Sequence, residues 1–238
     1  MTESFNDKLE RVVRARGSHL CVGIDPDRQC SEPMMDAACR IIIAACGEYA
    51  AAFKPNAAFF ESAGCGGGGA YRVPSIIGEH PSGTPPPLTI FDGKRGDIGN
   101  SSACYARGIF DAAGFDATTV NPLMGYDAVA PFLRDPSRGV FLLCLTSNPG
   151  AEDFLLKSEL YLRIAEKAVE WNRQGNVGLV VGATQATYAA AVRRIAPDLS
   201  LLIPGIGAQG GLLGEIIEAI DARSNPRFLI NASRSIMQ

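Results

Sequence analysis

The chain has 238 residues, of which 47% are hydrophobic and 20% are charged, and its formal net charge is -3. This length and apolar content are sufficient for a full hydrophobic core. Acidic and basic residues are interspersed, which argues against nucleic acid as a partner, and the longest apolar runs are far too short to span a membrane.

The N-terminal segment has the pattern of an amphipathic helix, because Phe5, Leu9, Val12 and Val13 fall on one side of it. It lacks the continuous apolar core of a signal peptide, so we expect a cytoplasmic protein.

The cysteines do not form a recognisable metal or disulfide pattern. Seven are present without a CxxC pair, and only His19 and His80 could add imidazole ligands. A disulfide framework or a zinc site is therefore not expected. Most cysteines should pack as small apolar residues in a reducing compartment.

Eight short apolar runs follow one another along the chain. Most are apolar throughout rather than alternating, which is typical of parallel strands buried on both faces. The predicted strands are residues 19–25, 51–56, 88–94, 117–122, 139–147, 177–184, 200–207 and 227–233.

Helical stretches lie between these strands, at residues 35–50, 101–114, 158–175, 184–196 and 210–224. This alternation predicts an α/β fold, a (β/α)8 TIM barrel that forms a single domain over residues 1–238. A doubly wound sheet is the alternative, but such a sheet rarely has eight strands without a second domain. No linker divides the chain.

Two regions fit the barrel less well. Residues 62–87 contain a four-glycine run and a triple proline, which oppose helix formation, so we expect only a short helix around 70–79. The chain also stops at Gln238, directly after the eighth strand. We therefore expect a shortened C-terminal end, with the eighth helix absent or reduced to a turn, and an N-terminal helix that covers the barrel bottom.

Charged residues cluster where the predicted strands end. Asp25, Lys54, Asp92 and Lys94 all fall at C-terminal strand ends, where barrels of this kind place catalytic groups. Charges inside apolar runs are costly to bury unless they are paired. Asp92 and Lys94 are two positions apart, so on a regular strand both side chains face the same way. A structural salt-bridge cluster that closes the barrel top is the simpler interpretation.

Six motifs occur in order: IDPD, FKPNAAFFE, FDGKRGDIGNSS, TVNPLMGYDA, LTSNPGA and PGIGAQGG. Together they resemble the orotidine 5'-phosphate decarboxylase family, particularly the branch whose central motif reads DxKRGDIGNT. The resemblance runs from about residue 5 to residue 236. A lone DxKxxD is shared with related phosphosugar decarboxylases and aldolases, but the KRGDIGN extension with FKPN and TSNPGA around it is specific.

The resemblance implies loss of CO2 from orotidine 5'-monophosphate to give UMP, the last step of de novo pyrimidine nucleotide synthesis, with no cofactor and no metal. A carbanion at C6 of the pyrimidine must be stabilised, and preorganised charge can do this. Lys94 would stabilise that charge and donate the proton. Asp92 and Asp97 would keep the ammonium charged, and Lys54 would balance Asp92.

The resemblance also indicates which residues bind the phosphate of the substrate. Backbone N–H groups of GIGAQGG, the side chain of Gln209 and the guanidinium of Arg234 would hold it. The simpler interpretations are a tight strand–helix turn for the glycines and a solvated side chain for Arg234.

The rest of the substrate would contact other strand ends. Ser147 would hydrogen-bond the pyrimidine edge, Asp25 with Lys54 would hold the ribose hydroxyls, and Ile98 and Pro204 would line the pocket. Ser147 could instead cap a helix, and Pro204 could simply end a strand.

By the family's pattern, Asp97 and Ser101 reach into the active site of a partner subunit. The resemblance therefore implies a homodimer with shared sites. Two positions depart from the family: Gly93 stands where alanine is usual, and Ser101 replaces threonine.

Two other functions are compatible with the same barrel. A metal-dependent phosphosugar decarboxylase or aldolase would need carboxylates free to bind Mg²⁺, and the interleaved lysines argue against this. A non-catalytic nucleotide-binding barrel would not need the charge array.

Overall fold

The computed structural model describes residues 2–26, 31–64, 66–79, 85–207 and 210–237. Eight parallel strands pair in chain order, and β1 pairs with β8 to close a barrel, which confirms the predicted fold. The strands are β1 (Leu20–Ile24), β2 (Ala52–Pro55), β3 (Leu88–Arg95), β4 (Ala117–Val120), β5 (Gly139–Leu145), β6 (Val177–Val181), β7 (Ser200–Pro204) and β8 (Phe228–Ala232).

Helices alternate with these strands on the outside of the barrel. They are α1 (Phe5–Arg16), α2 (Glu32–Cys46), α3 (Ala57–Ser62), α4 (Gly66–Tyr71), α5 (Val73–Glu79), α6 (Gly99–Ala106), α7 (Tyr126–Val129), α8 (Leu160–Trp171), α9 (Ala186–Ile195), α10 (Leu213–Ala219) and α11 (Arg234–Met237). Within the described ranges, no helix has the length and apolar character needed to cross a bilayer.

The segment between β2 and β3 differs from the prediction. It contains three helices, α3, α4 and α5, rather than one helix around 70–79, and α4 begins inside the glycine run at Gly66. Ala70, Val73 and Ile76 are buried, so tertiary packing outweighs the low helix propensity of glycine. Pro74 falls in the first turn of α5, where a backbone N–H is not required.

A helical segment between β4 and β5 was missed. It comprises α7 and a 3₁₀ turn at Ala130–Leu133, and it buries Val129 and Phe132. The segment is short and contains Pro131, so its sequence lacks the length from which a helical period can be recognised.

Helix α1 closes the bottom of the barrel. The ring of Phe5 is fully buried, with its centroid 5.8 Å from that of Phe141 on β5. The side chain of Asn6 donates to the carbonyl of Val177 and accepts from the hydroxyl of Ser200, at the starts of β6 and β7. At the other terminus α11 has four residues, a single turn.

Buried side chains form two clusters. One fills the barrel interior together with the apolar face of α1, and the other lies between the barrel wall and the outer helices. Cys21, Cys39 and Cys144 belong to these clusters, and burial raises the pKa of each thiol to about 12. These three cysteines pack as small apolar residues, as predicted, whereas Cys46 is half-buried and Cys104 is exposed. Cys30 and Cys65 lie outside the described residues.

Candidate active site

A cavity of about 400 Å³ opens at the C-terminal ends of the barrel strands. Leu143, Val180 and Leu202, from β5, β6 and β7, line its apolar part. Its charged lining residues are Asp25, Lys54, Asp92, Lys94 and Arg234. The cavity therefore brings together most of the charged residues predicted from the strand ends.

Asp92 lies between two ammonium groups. Its Oδ2 is 2.6 Å from the Nζ of Lys54, and its Oδ1 is 2.6 Å from the Nζ of Lys94. Lys54 and Asp92 are almost fully buried, whereas 49% of the Lys94 side chain is exposed. Lys54, Asp92 and Lys94 thus form a charge array. Lys54 and Asp92 are its buried members, and the side chain of Lys94 extends into the cavity.

Mutual pairing keeps the buried members of the array charged. Burial by itself would raise the pKa of Asp92, but Lys54 and Lys94 outweigh it and hold the pKa well below its usual range. Burial would likewise lower the pKa of Lys54, but Asp92 and the charge of Asp25 outweigh it, and the pKa is raised. Both groups are therefore ionised at neutral pH.

Lys94 and Asp92 meet for a different reason from the one predicted. The register of β3 against β4 shifts between Phe91 and Arg95, and Lys94 has a left-handed backbone with a φ of +46°. The strand is therefore not a regular pleat at this point. Thr119 on β4 spans the irregularity: its hydroxyl donates to Asp92 Oδ1 and accepts from the N–H of Lys94, both at 2.9 Å.

Ser147 and Pro204 also line the cavity, as predicted. Gly182 permits the position of Ser147, because a Cβ at residue 182 would lie only 2.8 Å from the Ser147 backbone. Thr184 then donates to the carbonyl of Ser147 at 3.2 Å. The loops after β5 and β6 are thus held against each other at the mouth.

Three predicted site residues do not reach the cavity of their own chain. Asp97 is half-buried and its carboxylate accepts from the N–H of Ile98 at 2.7 Å. Ile98 is 59% exposed and Ser101 is also exposed. Within the described ranges, Asp97 forms no ion pair with the array. The expected alternation of Lys54, Asp92, Lys94 and Asp97 is therefore incomplete within one chain.

The glycine loop after β7 differs from a simple anion cradle. Gly205 and Ile206 line the cavity, but the N–H groups of Gly207, Gly210 and Gly211 donate to carbonyls within the loop. Gln209 lies outside the described residues. Arg234 is exposed at the mouth, and it forms no ion pair with any residue that the structure describes.

Several polar lining residues were missed from the sequence. Asn56, Thr119, Asn231 and Ser233 all line the cavity. Asn231 stands inside the otherwise apolar strand β8, and an uncharged polar residue in such a run was the available signal for it. Strand β4 contains two threonines in four residues, so Thr119 gave no such signal.

Among the described residues, no group of three His, Cys, Asp or Glu side chains could hold a metal ion.

The sequence is similar to a known family over most of its length. Residues 18–238 match the model of the orotidine 5'-phosphate decarboxylase / HUMPS family. An orotidine 5'-phosphate decarboxylase from Roseiflexus sp. (strain RS-1) is 43% identical over 252 residues, covering 98% of this chain and 89% of the relative. One from Dehalococcoides mccartyi (strain ATCC BAA-2266 / KCTC 15142 / 195) is 43% identical over 244 residues, covering 98% and 88%.

Two solved structures from Leishmania donovani have the same fold. Its OMP decarboxylase superposes with a TM-score of 0.82 at 40% identity, covering 98% of this chain and 90% of that one. Its UMP synthase superposes with a TM-score of 0.87 at 41% identity, and the match covers 98% of this chain but only 52% of that longer one.

Proposed function

The chain belongs to the orotidine 5'-phosphate decarboxylase / HUMPS family and decarboxylates orotidine 5'-monophosphate to UMP, and from this premise we propose how its residues carry out the reaction. The observation that carries the proposal is the Lys54–Asp92–Lys94 array, which projects one ammonium group into a cavity at the catalytic end of the barrel.

Lys94 is the catalytic residue in this proposal. The bond between C6 and the carboxylate breaks, CO2 leaves, and the electron pair remains at C6. The ammonium of Lys94 stabilises this charge and then transfers a proton to C6, after which solvent reprotonates the amine. Because Asp92 and Lys54 hold the ammonium in place before the reaction, little reorganisation is needed as charge develops.

The remaining lining residues bind the substrate. Asp25 and Lys54 would hold the ribose hydroxyls, and Ser147 would bond the pyrimidine edge beside Pro204. Arg234 would grip the phosphate bidentately, with Gln209 as a further donor. Because three N–H groups of the glycine loop donate within the loop, Arg234 carries more of the phosphate binding than the sequence suggested.

A homodimer would complete each site. One carboxylate, that of Asp92, lies within 2.6 Å of both lysines, while the Asp97 carboxylate stays apart from them in its own chain. Asp97 and Ser101 would therefore reach the partner's cavity. Exposed apolar side chains near this segment suit such an interface; they are Ile98, Tyr105, Leu123, Met124 and Tyr126.

The test is consumption of orotidine 5'-monophosphate, followed by ultraviolet absorbance in buffer containing EDTA. We expect full activity in EDTA and a loss of turnover in Lys94→Ala with UMP binding retained. The matched control is Lys167→Ala on α8, whose lysine pairs with Glu170 far from the cavity and should change nothing. Loss of activity in EDTA would favour the metal-dependent phosphosugar alternative, and an unmodified protein that never consumes the substrate would refute the assignment.

A further inference from the structure

Thr119 is the one cavity-lining side chain, among the described residues, whose hydrogen bonds join Asp92 to the backbone of Lys94. Its hydroxyl donates to Asp92 Oδ1 at 2.9 Å and accepts from the N–H of Lys94 at 2.9 Å. Thr119 is 1% exposed, so its hydroxyl is shielded from bulk water. A hydroxyl has a single proton, and because that proton goes to the carboxylate, the lone pairs remain for the amide of Lys94.

The backbone at Lys94 needs such support. A φ of +46° is sparsely populated for a residue with a Cβ, and it persists only where the surrounding structure holds it. The register shift between β3 and β4 occurs at the same place, and there the N–H of Lys94 bonds to the Thr119 hydroxyl. Strained backbone of this kind concentrates at functional sites.

We propose that Thr119 is a positioning residue, whose hydroxyl fixes the direction in which Lys94 extends by holding its backbone and Asp92 Oδ1 at one point. The inference rests on the proposed role of Lys94. Thr119 stabilises no charge on the substrate in this account; it sets where the Lys94 ammonium lies when the substrate arrives. Its effect should therefore fall on kcat rather than on substrate affinity.

The chain provides a matched control at the adjacent position. Thr118 is 0% exposed and also bonds β3, because its hydroxyl donates to the carbonyl of Phe91 at 2.9 Å. It neither lines the cavity nor bonds a member of the array. Thr118→Val and Thr119→Val make the same substitution at adjacent buried positions of β4, so each variant loses one buried hydroxyl. Their effects on stability should therefore be similar. Only Thr119→Val also removes the hydrogen bonds to Asp92 and Lys94.

The experiment measures kcat and KM for orotidine 5'-monophosphate, and UMP affinity, in Thr119→Val, Thr119→Ser and Thr118→Val. We expect Thr119→Val to lower kcat on the order of 10- to 100-fold, as a misplacement near 1 Å can do, with UMP affinity nearly unchanged. Thr119→Ser retains the hydroxyl and should restore most of kcat. Thr118→Val should keep kcat close to that of the unmodified protein.

The inference is overturned if Thr119→Val keeps the unmodified kcat, if Thr118→Val loses as much, or if serine gives no rescue. Should the valine variant not fold, Thr119→Ala compared with Thr119→Ser decides between the same outcomes, since alanine also lacks the hydroxyl. An unmodified protein without decarboxylase activity would instead refute the proposed function. The two failures are therefore distinguishable.

Discussion

Asp92 is the residue on which the electrostatics of the cavity depend, because its two oxygens serve two different ammonium groups. Its pKa in the folded chain is held below the usual range. The resulting stabilisation is present above the unfolded pKa, about 3.9, and is lost as the pH falls below it. The raised pKa of Lys54 acts in the opposite sense, since its stabilisation is present below about 10.4 and is lost at higher pH.

Asp92→Asn should destabilise the fold and abolish turnover. It leaves the buried ammonium of Lys54 without its 2.6 Å carboxylate partner, and removing one member of a buried pair costs about 3–5 kcal/mol. Urea unfolding at pH 7 measures this change. Asp7→Asn is the control: that exposed carboxylate pairs with Arg227, so the expected loss is about 0–1 kcal/mol. Equal losses in both variants would contradict the buried-pair account.

Gly93→Ala should destabilise this chain, although the family resemblance implies alanine at this position. A Cβ at residue 93 would lie 2.4 Å from Cε1 of Phe91. The Phe91 ring cannot easily move aside, because it packs between Tyr71 and Phe115. Overpacking of this kind costs about 1–3 kcal/mol, which thermal unfolding would detect. Gly78→Ala on α5 meets no atom within 4 Å and is the matched control; an unchanged Tm in Gly93→Ala would show that Phe91 adapts freely.

Single residues were predicted from the sequence where charge interrupts an apolar run. Asp25, Lys54, Asp92 and Lys94 stood out because ionised groups are costly in such runs, and all four line the cavity. Thr119 did not stand out, because threonine is common in strands and its importance depends on a neighbour 25 positions away. The left-handed backbone of Lys94 was not predictable either, since no local sequence pattern indicates a shift of register between two strands.

Helix α1 shows what one element contributes to the stability of the barrel. The buried ring of Phe5 packs on Phe141 inside the barrel, so α1 seals the end opposite the cavity. Phe5→Ala should lower the free energy of unfolding by about 3–5 kcal/mol because it leaves a cavity there. Phe154→Ala is the control, since that side chain is 72% exposed and a surface change is usually within about 0.5 kcal/mol. Equal losses of unfolding free energy in the two variants, measured by urea unfolding, would show that packing of α1 against the barrel contributes little to stability.

Elements were predictable from the sequence in type but not in extent. All eight strands form, because continuous apolar runs of strand length alternate with helical patterns. Most of their ends were overestimated: the fourth stops at Val120 before Asn121 and Pro122, and the sixth stops at Val181 before a 3₁₀ turn. The third instead continues one residue past its predicted end, to Arg95. Helix α4 was missed because burial of its own Ala70 and of the adjacent α5, rather than helix propensity, determines it.

At the scale of the whole molecule, the shared site can be tested with two inactive variants. A heterodimer of Lys94→Ala and Asp97→Ala, purified through two different tags, would contain one complete site if Asp97 acts across the interface. About half the activity of the unmodified dimer should then return. If Asp97 serves the cavity of its own chain, both sites are defective and no activity returns. A heterodimer in which the Asp97→Ala subunit also carries Lys94→Ala is the inactive control.

The lining of the cavity has three cationic side chains, Lys54, Lys94 and Arg234, against the carboxylates of Asp25 and Asp92. The chain as a whole has a net charge of -3. Close to the cavity opening, the excess of positive charge therefore attracts an incoming molecule that bears both a phosphate and a carboxylate, although the chain as a whole is acidic. Mobile ions screen such local fields beyond about 10 Å at 0.1 M. Rising ionic strength should thus slow productive encounters, seen as a falling kcat/KM, while the chemical step in the filled cavity stays constant.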